Sequence, residues 1–404
     1  MSTKDQDHST KLIKFKEALG ESLIKDHDDA YLIKWLYARK FVIEDAAEMY
    51  KKSMIWRRTT GADTLIKTYQ KPEILEKYFP VSFVGIDKQG NPILFNHSGI
   101  TDFRGLFDSV TKVEFIKYMT YLAELGRKLC NEQSKQMEKF IGQISVVING
   151  EGFSRHNMTK KLIDYMTEFL KVFEANYPEY LYKFYILNPP KIFKLLYNIV
   201  KPFLKKATRD KVIFLGNDYK AKLAIDFHIE NALDTFCIGE GSSSNKKSKS
   251  DYIVPDEYKM NNENISDVNS EIKIGRFGEV EVDFLVEKSN SIVRYSFQTN
   301  DKIKFGVYKK TDNSQVKYDK MKKIEALHSV ESHKYPEDGC FECEEEGIYT
   351  IVWSNKTCLI GKNRINYTLD VLLPNCDTDS GQNIISKPAK CIAIRGAHSA
   401  KLKQ

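Results

Sequence analysis

The chain has 404 residues, 42% hydrophobic and 29% charged, with a formal net charge of +7. That length exceeds one ordinary core and predicts two or three domains, and the composition excludes a disordered chain. The modest charge suits weak attraction to acidic surfaces and falls short of a nucleic-acid binder, so no nucleic-acid partner is expected. The opening "MSTKDQDHSTKLIKFKEALG" lacks the apolar core of a signal peptide, and no later run reaches transmembrane length. Ser2 and the terminal "KLKQ" predict neither myristoylation nor prenylation. Seven scattered cysteines fit free thiols in a reducing compartment, so a cytoplasmic location is expected. The sequons at Asn157, Asn355 and Asn366 then carry no weight.

From Ser9 to about Thr60 the apolar spacing is helical, with Leu32, Ile33, Leu36 and Tyr37 on one face and Ala46, Ala47, Tyr50 and Met54 on the next helix. After Pro80, "VSFVGID", "KQGNP" and "ILFNH" predict a β-hairpin with Gly90-Asn91-Pro92 in the turn. A long helix over Lys112–Lys139, the strand "QISVVING", a helix over Lys160–Ala175, the strand "YKFYILN", a very apolar helix and the strand "KVIFLG" come next. Alternating strands and helices predict an α/β layer on a mixed, largely parallel sheet. "GEGSSSNKKSKSD" reads as a linker.

Beyond the linker the period becomes two, in Val280/Val282/Phe284/Val286, Val293/Tyr295/Phe297, Ile303/Phe305/Val307 and Ile365/Tyr367/Leu369/Val371. Half-buried antiparallel strands of this kind predict an all-β sandwich. The last thirty residues read as a flexible tail. Cys340 and Cys343 form a C-x-x-C without a second ligand pair, so ordinary strand thiols are favoured over zinc and no metal is expected.

The apolar helix lies within "NPPKIFKLLYNIVKPFL", Asn188–Leu204. Its polar residues Lys194, Asn198, Lys201 and Lys205 form one narrow stripe. The rest of the cylinder is apolar, including Phe193, Leu196, Tyr197, Ile199, Val200, Phe203 and Leu204. Pro189 and Pro190 suit a helix start and Pro202 its end. Three readings fit: a helix buried on both sides, a membrane-surface helix beside Lys205, Lys206, Arg209 and Lys211, or a lid that alternates between an internal pocket and lipid.

"NYPEYLYKFYILNPPKIFKLLYNIVKPFLKKATRDKVIFLG", Asn176–Gly216, resembles the core motif of the CRAL-TRIO lipid-binding and phosphatidylinositol-transfer family. The segment with "WLYARKF" resembles that family's helical cap. "YPEDG", "GIYTIVWSN" and "INYTLDVLLP", within Tyr335–Pro374, resemble a GOLD jelly-roll sandwich. This order of modules matches the family's tocopherol-associated members. The resemblance implies a cap over 1–75, a lipid-binding domain over 76–238, a linker over 239–251, a GOLD sandwich over 252–376 and a tail over 377–404. It also implies that the apolar helix is the gate over a lipid cavity.

The family's phosphoinositide-binding positions correspond to Arg39, Glu179, Thr208 and Lys211, and these residue types can hold phosphate and inositol hydroxyls. The structural alternative is that Glu179 pairs with a nearby lysine and Arg39 is a surface residue. The positions that carry hydroxyls in phosphatidylcholine carriers are Phe83, Leu94, Ile144 and Val146 here. With Ile148 they predict an apolar pocket floor, suited to a tocopherol, squalene-like isoprenoid or retinoid. The chain departs from the family pattern at Asn149, where Asp is usual, and in "ALDTFCIGEG", Ala232–Gly241.

Lys201, Lys205, Lys206 and Arg209 are expected to meet membrane transiently. Motifs for enzyme chemistry, such as G-x-S-x-G, H-E-x-x-H and a P-loop, are missing from the sequence. No catalytic residue and no cofactor are called for, and a lone histidine such as His97 reads as structural. A monomeric lipid carrier is expected. Its main rival is an adaptor whose GOLD-like sandwich binds a protein partner at Golgi or vesicle membranes, with a lipid hydrolase ranked below both.

Overall fold

The computed structural model describes residues 3–228, 249–259, 270–311, 317–330, 332–333, 336–356, 363–373, 386–397 and 399–402. They fall into two compact units, one formed by 1–154 with 164–259 and the other by 155–163 with 260–404. The expected cap and α/β domain are therefore parts of one unit. Residues 249–259 belong to it too: Val254 is 2% exposed and its N–H donates to Asp102 at 3.2 Å. The sandwich thus starts later than residue 252, and its first described strand opens at Ser270. Most of the expected linker and all of Ala232–Gly241 lie outside the described residues.

The first unit opens with helices α1 (Thr3–Leu19), α2 (Glu21–Ile24), α3 (Asp29–Ala38), α4 (Ile43–Thr60), α5 (Leu65–Thr68) and α6 (Glu73–Tyr78). Asp28 caps α3 by accepting from Tyr31 N at 2.7 Å. Phe15, Leu32, Trp35, Leu36, Ala46 and Tyr50 are fully buried in one cluster. Tyr37, expected on the packed face of α3, is instead 50% exposed. Trp35 takes the central place, which turns the buried face toward 32, 35 and 36.

One ion pair ties α4 to the α/β layer. Arg57, 2% exposed, donates from both Nη atoms to the two oxygens of Glu124 at 2.9 Å each. Its Nε also donates to Asp63 at 2.9 Å. Burial alone would lower the guanidinium's pKa, but the bonds to Glu124 and Asp63 outweigh it and raise the value.

The sheet contains β1 (Val81–Ile86), β2 (Pro92–Asn96), β3 (Ile144–Asn149), β4 (Leu181–Leu187) and β5 (Val212–Leu215) in that spatial order. β1 and β2 form the expected antiparallel hairpin, and the other neighbours are parallel. Asp87 organises the hairpin turn, accepting from Gln89 N and Asn91 N at 2.9 Å each. Gly90 adopts φ +93°, a left-handed region that favours glycine.

Between the strands run α7 (Phe103–Ser109), α8 (Lys112–Gln136), α9 (Lys160–Asn176), α10 (Lys191–Val200) and α11 (Lys206–Arg209), and α12 (Tyr219–Asp226) comes after β5. A Thr111–Glu114 capping box starts α8. α7 is a short helix capped by Asp102 that the sequence pattern does not announce. No helix among the described residues is long and apolar enough to cross a membrane.

The second unit is a two-sheet sandwich. Its strands are β6 (Ser270–Ile274), β7 (Glu279–Val286), β8 (Ser291–Thr299), β9 (Ile303–Lys309), β10 (Lys322–Val330), β11 (Glu337–Cys343), β12 (Gly347–Ser354), β13 (Asn363–Leu372), β14 (Ser386–Pro388), β15 (Cys391–Arg395) and β16 (Ser399–Leu402). One sheet runs β10-β9-β12-β7-β15 and the other β11-β8-β13-β6-β16, with β14 beside β13. All the alternating apolar residues read from the sequence enter one shared core with Trp353 and Tyr349. Each large side chain buried there contributes about 1.5–3 kcal/mol. Cys340 and Cys343 are buried free thiols of β11, both pushed up to about 12 by burial.

The expected tail over 377–404 requires correction. Strand β15 pairs with β7, and β16 with β6, so the C-terminal residues complete both sheets. The two strands have only five and four residues, too few for alternation to show, although Cys391 and Ile394 of β15 pack against the sandwich core. Arg395 holds β15 in place by donating to Asp283 at 2.8 and 3.0 Å and to Glu281 at 3.1 Å. Asp283 is 2% exposed and also takes bonds from Lys310 at 2.7 Å and Thr350 at 2.8 Å.

These ion pairs make two stability changes testable. Glu124→Gln leaves the buried Arg57 undercompensated and is expected to lower unfolding free energy by about 3 kcal/mol, read from urea denaturation. Arg395→Ala is expected to cost about 1–3 kcal/mol, between exposed and buried pairs. Ending the chain at residue 385 should cost more still, since two edge strands go with the arginine; thermal melts of both variants check this order.

Candidate functional site

Strand alternation divides the first unit's sheet into two unlike faces. One face carries Ile93, Phe95, Val147, Tyr185, Leu187 and Leu215, all at most 7% exposed, packed with Tyr219, Leu223 and Phe227. That face is solid.

On the other face, the register sets Phe83 against Leu94, Leu94 against Val146, Val146 against Phe184 and Phe184 against Val212. One apolar row thus crosses all five strands. Every member of the row is only half-buried, as are Ile148 and Phe214 beside it. Ile186, between Ile148 and Phe214, is buried, and on the opposite face Val84 and Ile213 are half-buried. Helices stand over the row: Ala123 of α8 and Phe173 of α9 cluster with Phe83, Leu94 and Val146. This face is therefore less completely covered at the row than the opposite one. Of the five expected floor residues, Phe83, Leu94, Val146 and Ile148 are half-buried on it. Ile144 is 3% exposed and packs with Cys130, Tyr177 and Tyr180.

Helix α10 and the turn after it form the flank of this face. Phe193, Leu196, Ile199 and Leu204 are buried, while Tyr197, Val200 and Phe203 are half-buried. Tyr197 meets Phe214 with ring centroids 5.1 Å apart, and Phe193 meets Phe153 at 5.1 Å. The polar stripe of Lys194, Asn198 and Lys201 faces solvent. Pro202 sits in a tight turn over Lys201–Phe203, so the α-helix stops at Val200.

The basic residues beyond the helix are not equivalent. Lys201 and Lys206 are exposed and Arg209 is half-buried. Lys205 turns back toward α9, its Nζ donating to Glu174 O at 3.1 Å, and burial together with Arg39 lowers its pKa.

Of the four expected headgroup residues, three lie together. Lys211 Nζ is 3.0 Å from Glu179 Oε2 and donates to Leu181 O at 2.7 Å. Thr208 stands one turn earlier, its carbonyl accepting from Lys211 N at 3.1 Å. The pairing of Glu179 with a lysine, foreseen as the structural alternative, is therefore present. Glu179 adopts φ +49°, a left-handed conformation that costs a side-chain-bearing residue on the order of 1 kcal/mol. Arg39 ends α3 and donates to Ala38 O at 3.2 Å. Its link to the group is electrostatic, through Lys205.

Sequence reasoning missed the support behind Glu179. Tyr177 donates to Glu124 Oε1 at 2.6 Å, so the Tyr177-Pro178-Glu179 turn hangs from the carboxylate that Arg57 grips. A partnership between residues 57, 124 and 177 has no local spacing to reveal it. The departure at Asn149, at the other end of the sheet, is also structural. Asn149 contacts His97 Nε2 at 3.2 Å and accepts from Glu151 N at 3.0 Å, and burial takes His97 down to about 4.

Comparison with known proteins agrees with this architecture. The sequence profile of the CRAL/TRIO domain matches residues 76–236. The chain is 32% identical over 231 residues to "Phosphatidylinositol/phosphatidylcholine transfer protein SFH12" of Arabidopsis thaliana, covering 54% of this chain and 42% of that one. It is 30% identical over 229 residues to "Protein real-time" of Aedes aegypti, covering 56% of this chain and 34% of that one. The chain thus spans less than half the length of these curated relatives. Among solved structures, the crystal structure of Sfh5 is 20% identical with a TM-score of 0.46, covering 53% of this chain and 82% of that one. The likeness to the CRAL/TRIO domain is thus shown for residues 76–236 of the chain.

Proposed function

We propose that the chain holds one hydrophobic lipid against the row Phe83–Leu94–Val146–Phe184–Val212 and exchanges it with membranes, with α10 as the gate. The contrast between the two sheet faces carries this reading. Six apolar residues of one face are sealed, while the opposite row stays accessible under helices that would otherwise fill it. A relative named as a phosphatidylinositol/phosphatidylcholine transfer protein points the same way. Burial is worth about 0.8 kcal/mol per methylene, so a long chain rarely leaves a bilayer unaided. A pocket of equal apolarity removes most of that barrier, and the protein need only control opening.

The guest is either a phosphatidylinositol-type phospholipid or an apolar isoprenoid such as tocopherol, squalene or a retinoid. For the phospholipid, Lys211, Thr208 and Arg39 would hold phosphate and Glu179 would accept from inositol hydroxyls. Phosphatidylcholine fits poorly, since Phe83, Leu94, Ile144 and Val146 offer no side-chain hydroxyl to a buried headgroup. Lys201, Lys206 and Arg209 supply the attraction to anionic membrane, while Lys205 is engaged with Glu174.

The sandwich supports a second reading. It has its own continuous core, which suits a GOLD-like jelly roll that recruits a protein partner. On that reading bound lipid tunes an adaptor that visits Golgi or vesicle membranes from the cytoplasm.

Transfer between liposome populations separates carrier from adaptor: a carrier moves labelled lipid, and an adaptor binds it with little exchange. The double substitution Lys211→Ala with Glu179→Ala is expected to reduce phosphatidylinositol transfer at least tenfold and to spare loading of a neutral isoprenoid. Equal loss of both would show that these residues support the fold rather than the headgroup. Val146→Trp, which fills the middle of the row, is expected to abolish co-purifying lipid in native mass spectrometry while leaving circular dichroism unchanged. Retention of a normal lipid load by this variant would remove the row from the binding site.

A further inference from the structure

A cavity of about 170 Å³ opens at the Tyr177–Glu179 end of the first unit's sheet, where α3, α4 and α8 meet that turn. Its floor is formed by buried Arg57, Tyr177 and Tyr180, and its walls by Lys34, Arg127 and Tyr31. Among the described residues the only carboxylates lining it, Asp26 and Asp28, are exposed at the rim. Asp28 is in addition occupied by the N–H of Tyr31.

Of the three cations lining the cavity, Arg57 is paired with both Glu124 and Asp63, and Lys34 and Arg127 are less fully matched. Glu124 stands behind the wall and accepts two bonds from Arg57, one from Arg127 at 3.0 Å and one from Tyr177. A carboxylate has about four acceptor positions, so Glu124 is saturated. Arg127 makes no other hydrogen bond among the described residues and rests its guanidinium 5.3 Å from the Tyr31 ring. Lys34 Nζ donates to the Gly142 carbonyl. Among the described residues it has no carboxylate within ion-pair distance, although burial drives its pKa down to about 8. His27, also lining the cavity, is depressed by burial and then by Arg127 and Arg57. Asp63 and Asp26 act on it in the opposite sense.

We propose that this cavity is an anion site, taking one phosphate group between the Lys34 ammonium and the unused N–H donors of Arg127. A volume of roughly five or six waters at about 30 Å³ each accommodates a tetrahedral oxyanion with a residual water. Planar guanidinium and mobile ammonium are complementary partners for phosphate. The phosphate is either free in solution or carried on a lipid, and the cluster of Cys130, Ile141, Tyr177 and Tyr180 stands between the site and the apolar row.

The test uses the purified full chain and inorganic phosphate, titrated by calorimetry and ³¹P line broadening at constant ionic strength. Wild type is expected to bind, and Lys34→Met and Arg127→Met to weaken binding at least tenfold. Lys34→Met should melt no lower than wild type without phosphate, because it removes an uncompensated buried cation. A structural lysine would give a clear drop instead. If inorganic phosphate does not bind, vesicles carrying phosphatidic acid supply the second source. Loss of that lipid in Lys34→Met, with isoprenoid loading intact, assigns the site to a lipid phosphate. Binding of either source that survives Lys34→Met, or falls only in Lys211→Ala, overturns the proposal, as does binding of neither. Isoprenoid loading reports separately on the row, so failure of one site is not mistaken for failure of the other.

Discussion

Strands β2 to β5 are parallel and lie in chain order across the sheet, and right-handed crossovers then constrain everything else. A connection that always advances in one direction with one hand must return over the same face each time. α8, α9 and α10 are therefore stacked on the side of Phe83, Leu94 and Val146, and the opposite face is left for the elements after β5. Tyr219, Leu223 and Phe227 seal that opposite face with little material. The crossover face receives the long helices α8 and α9. The hollow proposed there would follow from connectivity, before any residue is chosen to line it.

The helical N-terminus completes this arrangement through charge. Arg57 and Glu124 are both nearly inaccessible, and a buried ion pair is weak evidence of net stability, since desolvation offsets much of its attraction. What the pair provides is geometry. It fixes α4 against α8, and through Tyr177 it fixes the strained turn that presents Glu179. A hydrophobic pair of similar volume could hold the helices together, but it could not receive the Tyr177 hydroxyl.

Periodicity makes much of this legible. The period-two stretches of β7, β8, β9 and β13 each place their apolar residues in one core, because alternation records a strand with one dry face. The excess apolar surface of Ile192–Leu204 likewise marks a helix with more than one apolar neighbour. Periodicity is silent in strands of four or five residues, too short to show a period, and that is why β15 and β16 read as tail. Spacing alone also puts Tyr37 inside while Trp35 holds the core. Ile144 shows another limit: alternation with Val146 and Ile148 gives the correct face, but not which part of the face the neighbouring helices cover. The Arg57–Glu124–Tyr177 network spans three distant segments, so no local pattern could disclose it.

The proposed gate helix brings these constraints together. Its four buried apolar residues would each cost about 1.5–3 kcal/mol to expose in water, so the helix stays closed in solution without any dedicated latch. Against a bilayer that penalty disappears, because hydrocarbon replaces the protein surface it leaves. The solvent-facing Lys194 and Lys201 favour the anionic membrane at which this exchange becomes possible. Lys205, bound to Glu174, holds the C-terminal end of the segment to α9. Motion is then easiest at the Pro189–Pro190 end, where neither proline has an N–H to contribute to the helix. The same residues that make the segment too apolar for a surface helix therefore make its opening conditional on lipid, with Lys205 as the pivot.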